Sequence, residues 1–195
     1  MALTTVRSTG IGSLPAISGA NLTSLNASNI SSGTLSTSRY VQGGIKQADQ
    51  WRLTANITGT NADITANLSQ EANKIVGTGM SQTSGIFTFP ETGIYLIISR
   101  PEWSGIDAND NVFCSTWETT NNSDYTRIDR PAYSNKDGGV ALNESMSIGI
   151  SYVDVTNTTN VKVKFQTESM GSSSVLFGNA SYIATNFSFI RLGDT

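Results

Sequence analysis

The stretch GIFTFPETGIYLII, residues 85–98, decides the fold. Side chains alternate between the two faces of an extended chain, so Phe87 and Phe89 fall on one face of a first strand. Pro90 cannot donate a ladder hydrogen bond and Gly93 tolerates a positive φ, so the sequence PETG predicts a turn. We therefore expect a hairpin. Its second strand is apolar on both faces, which indicates burial on both, as at the centre of a sandwich or in a subunit interface.

The spacing Gly-x-Phe-x-x-Pro-x-x-Gly-x-Tyr in this stretch resembles the motif of the globular head of complement component one, subcomponent q. Those heads are related to the jelly rolls of the tumour necrosis factor superfamily. The match is carried by Gly85, Phe87, Pro90, Gly93 and Tyr95. Near the C-terminus, the sequence FSFI that begins at Phe187 adds a second likeness.

The resemblance covers about residues 50–195 and implies a compact jelly roll that works as a homotrimer on a fibrous stalk. It implies binding rather than catalysis. It also implies that the motif residues and Phe187 build the core or the trimer interface, with Phe87, Tyr95 and their neighbours packed around the threefold axis.

Composition narrows the class of protein further. Charged residues make up 14% of the 195 residues and the net charge is −3. Because no basic run is present, counterion release offers little affinity for nucleic acid. The apolar runs are far shorter than a membrane span, so we expect no membrane insertion. The first residues lack an apolar core of signal-peptide length, which predicts synthesis in the host cytoplasm without a signal peptide.

Short alternating runs separated by polar turns continue through residues 45–195. They predict an all-β sandwich or jelly roll, and this range is interpreted as a knob domain. The predicted strands besides the hairpin are Trp51–Thr54, Asp63–Leu68, Ile75–Met80, Asn111–Thr119, Tyr125–Arg130, Leu142–Val153, Val161–Phe165 and Tyr182–Leu192. The last of them nearly reaches Thr195, so we expect the C-terminal strand to be integral to the fold. Cys114 alternates within its strand and is predicted to be a small core residue.

Residues 14–44 contain an internal repeat of the form apolar-x-x-apolar-small-small-small-Asn. Its apolar positions are Leu14, Ile17, Leu22, Leu25, Ile30 and Leu35. One thread cannot bury these side chains, whereas three threads around an axis can, and the segment resembles the shafts of trimeric phage fibres. The alternative is a disordered low-complexity linker. Residues 1–13 begin with MALTTV, resemble the starts of phage fibre proteins, and are interpreted as a virion-docking peptide.

Catalysis is not expected, because the chain has no histidine and no phosphate-binding glycine loop. We predict no cofactor. The residues Asp107, Asn109 and Asn111 match the first ligand positions of a calcium loop. Val112 stands where that loop needs glycine, so the match is interpreted as coincidence, although a looser ion site is left open.

Four aromatic residues near predicted loops are candidate ligand-binding positions, namely Trp103, Trp117, Tyr125 and Tyr133. Aromatic rings beside Asn and Asp suit sugars, because apolar sugar faces stack on them. The alternative is that these rings belong to the core or to a subunit interface.

Together these patterns predict a structural protein of a bacteriophage virion. We expect a small homotrimeric fibre of the tail or the capsid, or a capsid-attached decoration, whose N-terminal segment binds other virion proteins. Its knob is expected to contact the host surface. The alternative function is a lectin-like module that recognises host surface glycan as its main task.

Overall fold

A computed structural model of the chain describes residues 44–136 and 144–195. These residues belong to one compact unit, Gly44–Thr195. The predicted docking peptide, 1–13, and the predicted stalk, 14–44, lie outside the described residues except for Gly44. The regular elements of residues 44–136 and 144–195 are all strands, and none of these described residues forms a helix that could cross a membrane.

The described residues form fifteen strands. In chain order they are β1 (Ala48–Leu53), β2 (Ile57–Thr58), β3 (Leu68–Gln70), β4 (Ser81–Thr83), β5 (Ile86–Thr88), β6 (Gly93–Arg100), β7 (Glu102–Gly105), β8 (Asn111–Thr119), β9 (Tyr125–Asp129), β10 (Ala132–Ser134), β11 (Ser145–Met146), β12 (Gly149–Val155), β13 (Lys162–Glu168), β14 (Val175–Leu176) and β15 (Asn186–Gly193).

The strands form two main antiparallel sheets. The five-stranded sheet has the order β12-β6-β15-β1-β3, and the six-stranded sheet has the order β10-β8-β13-β5-β4 with β9 also paired to β8. A smaller sheet has the order β11-β7-β14-β2. All strand pairs are antiparallel, and neighbours in each sheet are mostly distant in sequence, which is the topology of a jelly roll.

Aromatic side chains from both main sheets form the centre of the core. Phe165 of β13 stacks on Phe187 of β15 with 3.8 Å between ring centroids. Phe87 of β5 lies 5.1 Å from Phe189 and meets Trp51 edge-on at 5.3 Å. Each such ring, fully buried, contributes about 1.5–3 kcal/mol, so contacts between the sheets hold the sandwich together.

The predicted hairpin over residues 85–98 is wrong in one respect. Phe87 and Phe89 share the inward face as expected, but β5 and β6 do not pair, because they lie in different sheets. The PETG segment instead crosses from one sheet to the other. The Tyr95 hydroxyl donates to the Glu91 carbonyl at 3.1 Å and the Phe89 and Tyr95 rings lie 4.7 Å apart, which ties this crossing to the core.

Other strand predictions divide into two groups. The strand predicted over Asn111–Thr119 is confirmed, and β15 lies between β6 and β1, so the C-terminal strand is integral to its sheet. No strand is found over residues 63–67, and β3 begins only at Leu68. None is found at Ile75–Met80 either. Each segment meets a neighbouring strand at a single isolated bridge, Asp63 to Gln166 of β13 and Val76 to Ala48 of β1, so neither forms a ladder.

Candidate self-association surface

The motif aromatics lie inside the sandwich. Phe87 and Phe187 are 0% exposed and Tyr95 is 1% exposed within the single chain. The expectation that Phe87 and Tyr95 pack around a trimer axis is therefore corrected, because these side chains have no surface left for a second copy. They belong to the core, and burial raises the pKa of Tyr95 to about 12.

The glycines of the motif are required by close backbone approaches. Gly85 has a φ of 79°, and a Cβ added there would lie 2.0 Å from the carbonyl oxygen of Ile64. Gly93 has a φ of 139° and a Cβ there would lie 2.4 Å from the carbonyl oxygen of Gly193. Pro90 lies between them in the crossing segment, outside any ladder.

The outer face of the five-stranded sheet carries rows of apolar side chains. In one row Tyr152 of β12 lies opposite Leu96 of β6, which lies opposite Ile190 of β15. In the next row Ile150 lies opposite Ile98. The outward side chains of β6 are only half-buried, whereas its inward side chains are buried. The expectation that β6 is buried on both faces is therefore met on one face only within this chain.

The most exposed part of this face is an apolar ridge at its edge. We call Ile148, just before β12, and Ile150 and Tyr152 of β12 the β12 ridge, and their exposures are 60%, 58% and 65%. The residues that alternate with them on the inward side of β12, Gly149, Ser151 and Val153, are small or apolar and are buried. Edge strands with exposed apolar side chains pair or aggregate unless something covers them, so the ridge is a candidate contact surface.

A groove lies on the same outer face beside the ridge. It encloses about 410 Å³ and is lined by Gln50, Ile98, Arg100, Ile148, Ile183, Asn186 and Ser188. The Gln50 amide donates to Asn186 Oδ1 at 3.3 Å and to Ser188 Oγ at 3.1 Å, which gives the groove a polar floor. The Arg100 guanidinium is fixed at one end by the Ala184 carbonyl at 2.9 Å. Isoleucine side chains form the remaining walls.

The outer face of the six-stranded sheet is different in kind. Its aromatic rings are each covered by a cation of the same chain. Arg127 lies 5.6 Å from the Trp117 ring centroid and Lys164 lies 4.4 Å from that of Tyr125. Lys164 also pairs with Asp63 at 2.7 Å. This face is therefore covered by its own charged side chains.

The four candidate ligand-binding aromatics are on strands rather than in loops, and they do not come together. Trp103 lies in β7 and is fully buried, so it cannot stack on a sugar. Tyr133 of β10 packs against the core. Only Trp117 and Tyr125 share the outer face of the six-stranded sheet. Local alternation could not separate inward from outward rings, because the pairing partners decide the direction.

The candidate ion-binding residues serve the local structure. Asp107 Oδ2 accepts from the Ser173 amide at 3.2 Å. Asn111 Oδ1 accepts from Ser134 and from Lys136 Nζ. Asn109 takes a left-handed φ of 60° in the turn between them. Within residues 44–136 and 144–195, no group of three or more acidic, Cys or His side chains is arranged to hold a metal ion.

Cys114 is confirmed as a core residue, since it is 0% exposed. Burial raises the pKa of its thiol to about 12, and the nearby carboxylates of Glu168 and Asp129 add to the shift. A thiol that stays protonated and inaccessible is not a nucleophile, so Cys114 is inert.

No family model and no curated protein matches the sequence. Solved structures do match the fold. A structure of murine APRIL at pH 5.0 aligns with a TM-score of 0.55 at 11% identity, covering 75% of this chain and 98% of that chain. Eiger TNF from S. frugiperda aligns with a TM-score of 0.57 at 10% identity, covering 76% of this chain and 93% of that chain. The chain therefore has a TNF-like jelly-roll fold.

The ridge and the groove were not predicted from the sequence as a site. One signal was present, because Ile150 and Tyr152 alternate with Gly149 and Ser151. Large apolar residues that alternate with small ones define a strand but not its inward side. The direction follows from packing, since Gly149 faces the Asp129 carboxylate and leaves room for no larger side chain.

Proposed function

We propose that the chain is a structural protein of a bacteriophage virion. In this proposal it is a small homotrimeric fibre of the tail or the capsid, or a capsid-attached decoration. Residues 45–195 form the knob, 14–44 the stalk, and 1–13 the segment that binds other virion proteins. The likeness of the N-terminal segments to phage fibre starts and shafts supports the virion role. A fold alone does not define a function, so the TNF-like jelly roll is only compatible with it.

The observation that carries the self-association is the apolar outer face of the five-stranded sheet. A threefold ring repeats one contact between two different patches of the same chain. The face offers two such patches, one formed by Ile150 and Tyr152 of the β12 ridge and the other by the groove beside β15, whose wall includes Ile148. We place the ridge of one copy in the groove of the next, where Tyr152 meets a floor that offers hydrogen-bond partners. Each copy then uses both patches once, and the ring closes.

The magnitudes are compatible with a stable assembly. Full burial of an Ile or a large apolar side chain contributes about 1.5–3 kcal/mol. Association costs about 4–15 kcal/mol in lost translational and rotational freedom. Three ridge side chains alone are comparable with the lower part of that cost, and the half-buried side chains of Leu96, Ile98 and Ile190 on the same face add to them.

The knob also contacts the host surface in this proposal, and the protein is located in the virion. The alternative is a lectin-like receptor-recognition module, which would use the outer face of the six-stranded sheet, where Trp117 and Tyr125 lie beneath Arg127 and Lys164. We propose neither a catalytic role nor a cofactor. The two functions are compatible, because the two outer faces are on opposite sides of the sandwich.

Light scattering on the full chain and on a chain that begins at Ile45 tests the proposal. A trimer in both places the association within residues 45–195 and supports the ridge and groove. A trimer of the full chain alone assigns the association to the repeat. Monomers in both would contradict the fibre proposal and leave the lectin-like function as the better one.

A further inference from the structure

The outer face of the six-stranded sheet has an excess of positive charge on an acidic chain. Its cations are Arg127 and Arg130 at β9, and Lys162 and Lys164 on β13. The carboxylates bonded to them are Glu168 and Asp63. Four positive groups against two negative ones contrast with the net charge of −3 for the whole chain. This local reversal of sign favours a negatively charged partner.

The two arginines of this face share a single carboxylate oxygen. Arg127 Nη1 lies 3.0 Å and Arg130 Nε 2.9 Å from the same Oε2 atom of Glu168. A guanidinium has five N–H donors, so these bonds leave most donors of both groups unused. The arginine side chains are 41% and 38% exposed, whereas that of Glu168 is 16% exposed. The unused donors therefore face solvent.

Aromatic rings hold both guanidinium groups in position. Arg130 lies 3.4 Å from the ring centroid of Phe113, and Arg127 lies over the ring of Trp117. Both rings project from β8, a strand in the interior of its sheet. Side chains that are already ordered lose little freedom when a ligand binds, so the pair is prearranged for an anion. Trp117 here serves the arginine rather than offering its covered face to a sugar.

The remaining lysines define how widely the charge is spread. Lys164 is neutralised by Asp63 at 2.7 Å. Lys162 Nζ bonds only uncharged oxygens, those of Thr88 and the Thr158 carbonyl, and so provides a second excess charge. Lys162 and Glu168 are at opposite ends of β13, about 20 Å apart at ~3.3 Å per residue.

We propose that this face binds an acidic polysaccharide through a carboxylate or sulfate group held by Arg127 and Arg130. The planar guanidinium fork matches both of these anions in bidentate geometry. A duplex nucleic acid fits less well, because its charge every ~1.7 Å would meet a face with only two separated excess cations on a chain of net negative charge. The ligand extends the host-contact part of the proposed function and does not depend on the oligomeric state.

The experiment measures binding of the full chain to polygalacturonate by calorimetry at low salt, with neutral dextran as the uncharged comparison. We expect binding of polygalacturonate alone, and a loss of affinity on adding salt. The variant Arg127→Gln/Arg130→Gln should weaken binding at least about tenfold, the effect of losing a charge-assisted hydrogen-bonded contact. The matched control Lys46→Gln/Lys74→Gln removes two exposed charges elsewhere and should change affinity less than about twofold.

A third variant gives an effect of opposite sign, which misfolding cannot imitate. Glu168→Gln removes the internal anion that competes for both guanidinium groups, so it should tighten binding of polygalacturonate about threefold or more. Equal losses in the arginine variant and the lysine control, unchanged or weaker binding by Glu168→Gln, or no binding by the natural chain would overturn the proposal. Light scattering on the same samples keeps the two proposals apart, because binding with this pattern by a monomer contradicts only the trimer.

Discussion

The two outer faces of the sandwich follow from the same alternation of side chains, but they differ in what covers their apolar side chains. On the six-stranded sheet, long cationic side chains such as Arg127 and Arg130 fold back over the aromatic rings and bond Glu168. On the five-stranded sheet, the β12 ridge stays uncovered. One face covers its aromatic rings with cations of the same chain, whereas the other leaves apolar surface that a second molecule can bury. That difference is the reason why we propose self-association through the five-stranded sheet.

The strand common to the core and the apolar face gives the largest expected effect. β15 lies between β6 and β1 and contributes Phe187 and Phe189 to the core. Deletion of residues 186–195 should abolish the folded state, because it splits the five-stranded sheet and removes two buried aromatic rings. Circular dichroism during heating measures this. Deletion of residues 194 and 195 alone, which lie beyond β15, should retain the unfolding transition. A cooperative transition in the longer deletion would refute the central place of β15.

Alanine substitution in the core and on the outer face of the five-stranded sheet sharpens the comparison. Phe87→Ala should cost about 3–5 kcal/mol of unfolding free energy, because its ring contacts Trp51, Phe165 and Phe189 in the closed core. Tyr152→Ala should leave the stability of the single chain within about 0.5 kcal/mol, since the ring is exposed. Urea unfolding at several protein concentrations separates the stability of the single chain from the stabilisation by association, because only association makes the unfolding midpoint depend on protein concentration. Similar costs for both substitutions would contradict the assignment of inner and outer faces.

Glycine substitution tests the turn between β4 and β5, where the backbone of Gly85 approaches that of Ile64. Gly85→Ala should destabilise the fold by about 1–3 kcal/mol from its left-handed backbone alone, and by more from the contact with the Ile64 carbonyl. Gly193→Ala is the matched control, since a Cβ there meets nothing within 4 Å. Thermal unfolding of both variants measures the difference. Equal stability of the two would show that the close approach at Gly85 is not needed.

The smallest effect concerns the carboxylate behind the β12 ridge. Burial raises the pKa of Asp129 above its usual value of 3.8, and the backbone N–H groups of Arg130 and Ile150 lower it in part. The folded chain therefore holds this proton more tightly than the unfolded chain, and stability gained by protonation appears as the pH falls through the raised folded pKa. The natural chain should gain stability relative to Asp129→Asn between pH 7 and pH ~4.

Thermal unfolding across that pH range measures the Asp129 effect. Asp124→Asn, in the exposed turn before β9, makes the same charge change and is the control. The natural chain should show no comparable gain in stability relative to Asp124→Asn as the pH falls. A pH-independent difference between the natural chain and Asp129→Asn would show that the carboxylate is not desolvated by β12.

Sequence reasoning reached the fold class through local rules. Alternation and turn residues are local signals. They were enough to predict the strand at Asn111–Thr119, the inward direction of Phe87 and Phe89, and a C-terminal strand that is integral to the fold. The pairing of strands is not local. Turn chemistry at Pro90 signals a reversal of the chain, but whether the next strand pairs or crosses to the other sheet depends on partners such as β13 and β15.

The site was less predictable than the fold for a related reason. The sequence showed that both faces of β6 are apolar, which indicated either the centre of a sandwich or a subunit interface. The residues of the candidate contact surface could not be predicted from the sequence. Tyr95 and Tyr152 have the same local alternation, but Tyr95 is buried and Tyr152 is exposed. Gln50 and Arg100, which define the groove, come from strands distant in sequence and carry no local signal.

The mass of one ridge variant in solution tests the central claim most directly. Ile150→Asp places a charge on the β12 ridge, and Thr126→Asp places the same charge at an exposed position of β9 on the six-stranded sheet. Light scattering should give a trimer for the natural chain and for Thr126→Asp, and a monomer for folded Ile150→Asp. A trimer that survives Ile150→Asp, or that is lost only with Thr126→Asp, would contradict self-association through the five-stranded sheet.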